Sequence, residues 1–223
     1  MKGHDLRGAY NGERASALSG VPLSTIHYWA RHEVLVPSIS PERIKLWSYP
    51  DLMGLRTIYW LRQTKTVGEG VSVPATSMPA VRRALTALRE LDLEVWTEEH
   101  GPSVAVSRSG EVFFDLPGYV GNVVGQRALD ADLLDLIAPF PTEQGAAPDL
   151  YAPRPSLRII PGKLSGSPHI VKTRIETIAL AALEDRGLPE SKIAALYPLA
   201  PPAAITEALD LEHQLRANLK AAA

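Results

Sequence analysis

No cysteine occurs among the 223 residues, which excludes disulfide bridges, thiolate metal sites and a cysteine nucleophile and fits a reducing compartment. No apolar run approaches the length of a membrane span, and no secretory signal pattern is present. The expectation is a cytoplasmic protein. Phosphate-cradling loops are missing too: Gly68-Glu69-Gly70 and Pro161-Gly162-Lys163 both lack the P-loop spacing of two glycines and a Lys-Ser/Thr pair. No serine, histidine and aspartate set sits in a nucleophile-elbow context. The histidines are scattered, and His27 with His32 do not have the helical i, i+4 spacing that aims two imidazoles at one zinc ion. Asp130, Asp132 and Asp135 fall on one expected short helix at 128–138, where the first two project about 200° apart. Two-metal phosphoryl chemistry needs carboxylates that converge from separate elements, so these three read as a solvated acidic face. Nothing points to an enzyme, a cofactor or a metal.

What is present is the composition of a globular protein, 45% hydrophobic and 22% charged, with a net charge of −2. That length and balance suit one to three compact units. Charge is uneven. Residues 1–66 hold nine Lys/Arg against five Asp/Glu, residues 67–161 seven against thirteen, and the remainder seven against seven. A basic amino-terminal unit beside an acidic middle suits contact with nucleic acid by the first and repulsion by the second.

Residues 10–62 read as a winged helix-turn-helix. A first helix at 13–19 meets Gly20, which tolerates a tight turn, and a second runs over 22–32. At 100° per residue, Leu23, Ile26, Trp29 and Ala30 share one arc that can pack on Ala15 and Leu18 of the first helix. The opposite arc carries Ser24, His27, Tyr28 and Arg31, whose hydroxyl, imidazole, phenol and guanidinium groups can bond phosphates and base edges. The alternative is an ordinary polar helix surface; the flanking turn and wing favour the nucleic-acid reading.

Ser19-Gly20-Val21, Thr25-Ile26 and Tyr28-Trp29, then Val34-Leu35-Val36-Pro37-Ser38, then Lys45-Leu46-Trp47-Ser48-Tyr49-Pro50-Asp51-Leu52 resemble the DNA-binding domain of MerR-type regulators over roughly a quarter of the chain. The resemblance implies a recognition helix with Ser24, Thr25, His27, Tyr28 and Arg31 at DNA, a wing with Lys45 and Trp47 beside the backbone, and a further helix starting at Asp51-Leu52. For Trp47, core packing is the competing reading. Two departures stand out. His27 occupies the place of a phosphate-touching arginine, which makes that contact weaker or pH-dependent. The long dimer helix of that family is interrupted here by Gly68 and Gly70, so its effector-sensing half is not expected.

Beyond the first domain, Ser77 and Pro79 open an amphipathic helix carrying Val81, Leu85, Leu88 and Leu91 at helical spacing. Residues 93–96, 103–107 and 111–116 read as strands, the last two joined at Arg108-Ser109-Gly110, giving a small antiparallel meander with the helix laid on it. The proline-rich stretch 139–161 reads as a linker or extended arm. Helices follow at 174–186 with Gly187 as C-cap, at 189–196, and at 201–219, where Ile205, Ala208, Leu211 and Leu215 form one stripe. The fold class expected is α+β, predominantly helical. Its expected units are residues 1–66, the winged domain; 67–140, a helix and meander; 141–160, the arm; and 161–223, a three-helix domain.

Gly166-Ser167-Pro168-His169-Ile170-Val171-Lys172-Thr173-Arg174-Ile175, with Gly187-Leu188, Ile193 and Tyr197-Pro198, resembles the family known as domain of unknown function 433. Lys172 replaces that family's usual glycine, and because lysine tolerates positive φ poorly, a different turn is expected there. Together the two resemblances imply a VapB-type antitoxin that restrains a PIN-like ribonuclease toxin and represses its own operon. As a homodimer it would present two recognition helices about 34 Å apart to double-stranded operator DNA. Phe140, Leu150 and Tyr151 on the arm are candidate toxin contacts. Thr173 and Arg174 are further candidates, although a threonine cap and an arginine bridged to Glu176 or Asp210 are the structural alternatives. Two other functions stay open: a free-standing regulator with a small ligand in the meander, and a protein-interaction module that does not touch DNA.

Overall fold

The computed structural model describes residues 8–67, 70–90, 103–106, 112–115, 132–142 and 145–221. Among them the chain is mixed helical with small antiparallel sheets. It divides into two compact units drawn differently from the expected boundaries: Met1–Leu52 together with Pro139–Ala223, and Met53–Ala138.

The larger unit starts with α1 (Gly12–Ser19), capped by Asn11, whose side-chain oxygen accepts the Arg14 N–H at 2.8 Å and so satisfies one orphan donor of the first turn. The helix ends at Gly20, whose φ of +76° lies in the left-handed region that favours glycine. Crowding adds to the requirement, since a Cβ there would lie 2.5 Å from the Thr142 methyl. The Ser16 hydroxyl donates to Val21 O at 2.7 Å across the turn. In α2 (Leu23–Arg31), Ile26 and Trp29 are buried together with Ala15 and Leu18 of α1, while Leu23 and Ala30 are half-buried. Its end is closed by Glu33 at φ +52°: Glu33 N–H reaches Ala30 O and Val34 N–H reaches Trp29 O at 2.9 Å, the Schellman pattern in which glycine is usual.

A hairpin over residues 38–47 follows, with Ser40 bridged to Leu46 and Trp47 bridged to Tyr10. Helix α3 (Tyr49–Leu61) starts two residues before the expected Asp51-Leu52, with Ser48 and Asp51 forming a reciprocal cap. Asp51 N–H donates to Ser48 Oγ at 3.3 Å, and Asp51 Oδ2 accepts Ser48 N–H at 2.8 Å. The same carboxylate accepts the Ser38 N–H at 2.9 Å and hydroxyl at 2.8 Å, so one acid fixes both the helix start and the hairpin.

The stretch 139–161 is not an extended arm. Strands β6 (Phe140–Thr142) and β7 (Gly145–Ala147) pair with each other in the core unit. Phe140 and Leu150 are buried, and Tyr49 donates its hydroxyl to Leu150 O at 2.8 Å. The prolines break regular structure locally, but burial of the intervening apolar side chains ties the segment down.

Strands β8 (Leu157–Arg158) and β9 (His169–Ile170) pair antiparallel and precede α5 (Thr177–Glu184), α6 (Glu190–Leu196) and α7 (Pro202–Ala221). The expected stripe Ile205, Ala208, Leu211 and Leu215 is buried along α7, which packs on α5, α6 and α1. Gly187, at φ +84°, donates to Glu184 O while Leu188 N–H reaches Leu183 O, closing α5 as its sequence implies. Lys172 adopts φ +60°, in the left-handed region, despite its Cβ.

The second unit contains the rest of α3, a hairpin of β1 (Lys65–Val67) and β2 (Val71–Val73), helix α4 (Met78–Glu90), and strands β3 (Ser103–Val106), β4 (Val112–Asp115) and β5 (Asp132–Asp135). The three strands pair in the order β4-β3-β5 with both neighbours antiparallel to β3, and α4 packs on β4. The expected strand at 93–96 lies outside the described residues. The expected acidic helix is corrected: Asp132–Asp135 is a strand, because pairing with β3 outweighs the helical propensity of its leucines. Arg56 is fully buried and one guanidinium nitrogen donates to the carbonyls of Leu136, Ile137 and Ala138 at 3.1, 3.2 and 2.8 Å.

Candidate nucleic-acid interface

With Ile26 and Trp29 facing inward, the 3.6-residue period leaves Ser24, His27, Tyr28 and Arg31 exposed on the opposite arc of α2, and Thr25 half-buried at its edge. His27 stacks on Trp47 of the hairpin, ring centroids 6.2 Å apart and planes 21° apart. Gly12 makes room for this, since a Cβ there would lie 2.9 Å from His27 Nε2. Tyr28 leans on His32, ring centroids 4.2 Å apart. Between α2 and the hairpin runs an open groove whose lining includes Ser24, His27, Arg31, Arg43, Ile44 and Lys45.

Trp47 is corrected. It is fully buried, so its ring cannot lie against a DNA backbone; it serves as the platform under His27. Lys45 is half-buried and its ammonium donates to Glu42 O at 3.2 Å across the hairpin tip. Arg43, exposed beside it, was missed by the sequence reading. The Arg-Ile-Lys run between Pro41 and the Leu46 bridge was the available signal. Arg31, Arg43 and Lys45 thus bring three cationic side chains to one groove, a donor set suited to phosphate oxygens.

The surface rests on a base tied by long-range bonds. Tyr10 donates its hydroxyl to Gly166 O at 2.9 Å, and burial, with Tyr49 alongside, pushes its phenol well above the ordinary value, so it remains a donor. A Cβ on Gly166 would lie 2.1 Å from that hydroxyl, which explains glycine at this position. Arg14 of α1 reaches Glu212 of α7 through two bonds of 2.7 Å.

The candidate partner residues fare differently. Phe140 and Leu150 are core side chains and present no apolar surface to a partner. Tyr151 is half-buried beneath the Arg158 guanidinium, 5.4 Å from the ring centroid. Thr173 is structural: its hydroxyl donates to Ile170 O at 2.8 Å and accepts Ile175 N–H at 3.1 Å. Arg174 is exposed, and Asp210, one of its expected partners, bonds Arg154 instead at 2.7 and 2.9 Å. The exposed large apolar side chains of the carboxyl-terminal segment include Leu196 at the end of α6, 59% exposed, and Leu199 in the turn that follows, 85%.

No helix of the described residues is long and apolar enough to cross a membrane. No curated protein and no solved structure matches the chain. Residues 158–210, the segment from β8 into α7, match the model of the family described as a protein of unknown function (DUF433).

Proposed function

We propose that this chain is a DNA-binding antitoxin: it grips operator DNA through a MerR-like winged helix-turn-helix and restrains a PIN-like ribonuclease toxin through its DUF433-like domain. The observation that carries the DNA half is the outward arc of Ser24, His27, Tyr28 and Arg31 on α2, of which Ser24, His27 and Arg31 line one groove with Arg43 and Lys45. Helix groups reach base edges in the major groove while the hairpin cations hold phosphates, the division of labour of winged readers. A homodimer places two such helices on an inverted repeat.

The toxin half rests on the resemblance of the carboxyl-terminal segment. Because Phe140 and Leu150 are committed to the core, the toxin-facing surface is assigned to the apolar turn after α6, at Leu196 and Leu199. Exposed aliphatic side chains three residues apart in one turn are the kind of surface that a partner covers. Fluorescence anisotropy with labelled duplex from immediately upstream of the coding sequence tests the DNA half. Saturable binding that weakens steeply with salt is expected; no binding at low salt overturns it.

A further inference from the structure

Ile44 is 71% exposed, an unusual position for a large aliphatic group on a surface otherwise suited to phosphates. It sits at the tip of the 38–47 hairpin between Arg43 and Lys45, and it lines the groove that α2 shares with the hairpin. The tip is held in place. Ser40 Oγ donates to Ile44 O at 2.8 Å, Lys45 Nζ donates to Glu42 O at 3.2 Å, and Leu46 N–H donates to Ser40 O at 2.9 Å. Two of these bonds use the backbone carbonyls at the tip, leaving the isoleucine side chain outside the fold. A flexible loop would lose entropy on presenting such a group, whereas this one has it already positioned.

We infer that Ile44 is a wedge for the minor groove of duplex DNA: its side chain enters at a base step while Arg43 and Lys45 hold the flanking phosphates, bending the duplex. This rests on the DNA-binding reading and deepens it. Apolar side chains that part a base step are surrounded by cationic contacts in minor-groove binders, and the kink they produce lets the duplex wrap more protein surface. Here the chemistry is present in three consecutive residues. Specificity follows from deformability: pyrimidine–purine steps unstack most easily, so the site preferred at the wing is one that the protein reads without base hydrogen bonds.

The test uses the full chain and a duplex of about 40 base pairs enriched by the protein itself from a random-sequence pool. End-to-end energy transfer reads the bend and anisotropy reads affinity. Wild type is expected to bend the duplex by an angle in the range of about 20–90°. Ile44→Ser should straighten it and weaken binding about tenfold, Ile44→Leu should restore both, and Arg43→Ala should weaken binding without abolishing the bend. Ile44 makes little contact within the fold, so circular dichroism should match for all variants. An unchanged bend in Ile44→Ser overturns the wedge while leaving DNA binding intact. Failure of the pool to enrich overturns the DNA-binding reading itself. Loss of self-association in Ile44→Ser, with the bend per bound protomer unchanged, would assign the residue to a contact between copies instead.

Discussion

Arg14 on the first helix and Glu212 on the last form a two-armed ion pair, both arms 2.7 Å, with side chains only 17% and 4% exposed. The Thr177 hydroxyl of α5 donates to the same carboxylate. One buried acid therefore ties α1, which supports the outward arc of α2, to two helices of the carboxyl-terminal segment. Paired charges of this kind are costly to break because the survivor stays desolvated.

Arg14→Ala should therefore destabilise the protein by about 3 kcal/mol, read as a lower urea midpoint with an unchanged slope. The double variant Arg14→Met, Glu212→Leu should recover much of the loss, since it leaves no unpaired charge. Additive losses in the double variant would show that the two groups act independently.

Glu33, just past the end of α2, and Lys172, in the turn after β9, sit in the left-handed region with a Cβ, at φ +52° and φ +60°. Replacing either by glycine removes roughly 1–2 kcal/mol of backbone strain against roughly 0.4–1 kcal/mol of added unfolded-state entropy. Glu33→Gly and Lys172→Gly should each raise the thermal midpoint slightly, and together nearly additively. A fall in midpoint for Lys172→Gly would show that its side chain holds the turn.

Stability should depend on pH through His169. This imidazole is buried, and burial lowers its pKa below the ordinary 6.5; Lys163 and Arg174 act the same way, while the Ser167 carbonyl and Glu176 oppose. Its Nδ1 lies 3.0 Å from Ser167 O, so this nitrogen carries the proton of the neutral ring. The unfolded chain then binds more protons than the folded one below the ordinary pKa. The contribution is full above about pH 6.5 and is lost as pH falls toward the lowered value. Urea midpoints measured from pH 7.5 down to 5 should fall for wild type and fall less for His169→Asn.

Local pattern and long-range packing divided what the chain disclosed. The arc of α2, the turn at Gly20, the end of α5 at Gly187 and the buried stripe of α7 all follow from helical periodicity or from glycine's freedom, which neighbouring residues alone determine. The stretch 139–161 misled because its prolines argue against regular structure and say nothing about what Phe140 and Leu150 pack against. Asp132–Asp135 misled for a related reason: its strand exists through pairing with β3, some thirty residues earlier. Trp47 illustrates the limit within the candidate site, since a tryptophan among polar neighbours reads equally as a surface contact or a core platform. Arg43 and Ile44 were missed, although the sequence offered a charged tip interrupted by an apolar residue.

If the turn after α6 meets a toxin as proposed, Leu199→Glu should abolish rescue of growth when the chain is co-expressed with a ribonuclease toxin that the wild-type chain neutralises. It should leave the fold and DNA affinity unchanged, because the side chain is 85% exposed. Rescue undiminished by this substitution would remove the surface from the account.

The most direct measurement compares wild type with Arg31→Ala on the upstream duplex by anisotropy over a salt series. The expected result is saturable wild-type binding, with the variant at least about tenfold weaker and, if the guanidinium meets a phosphate, a salt slope smaller by about one. Equal affinities for the two proteins, with identical circular dichroism, would contradict the placement of α2 in a DNA groove.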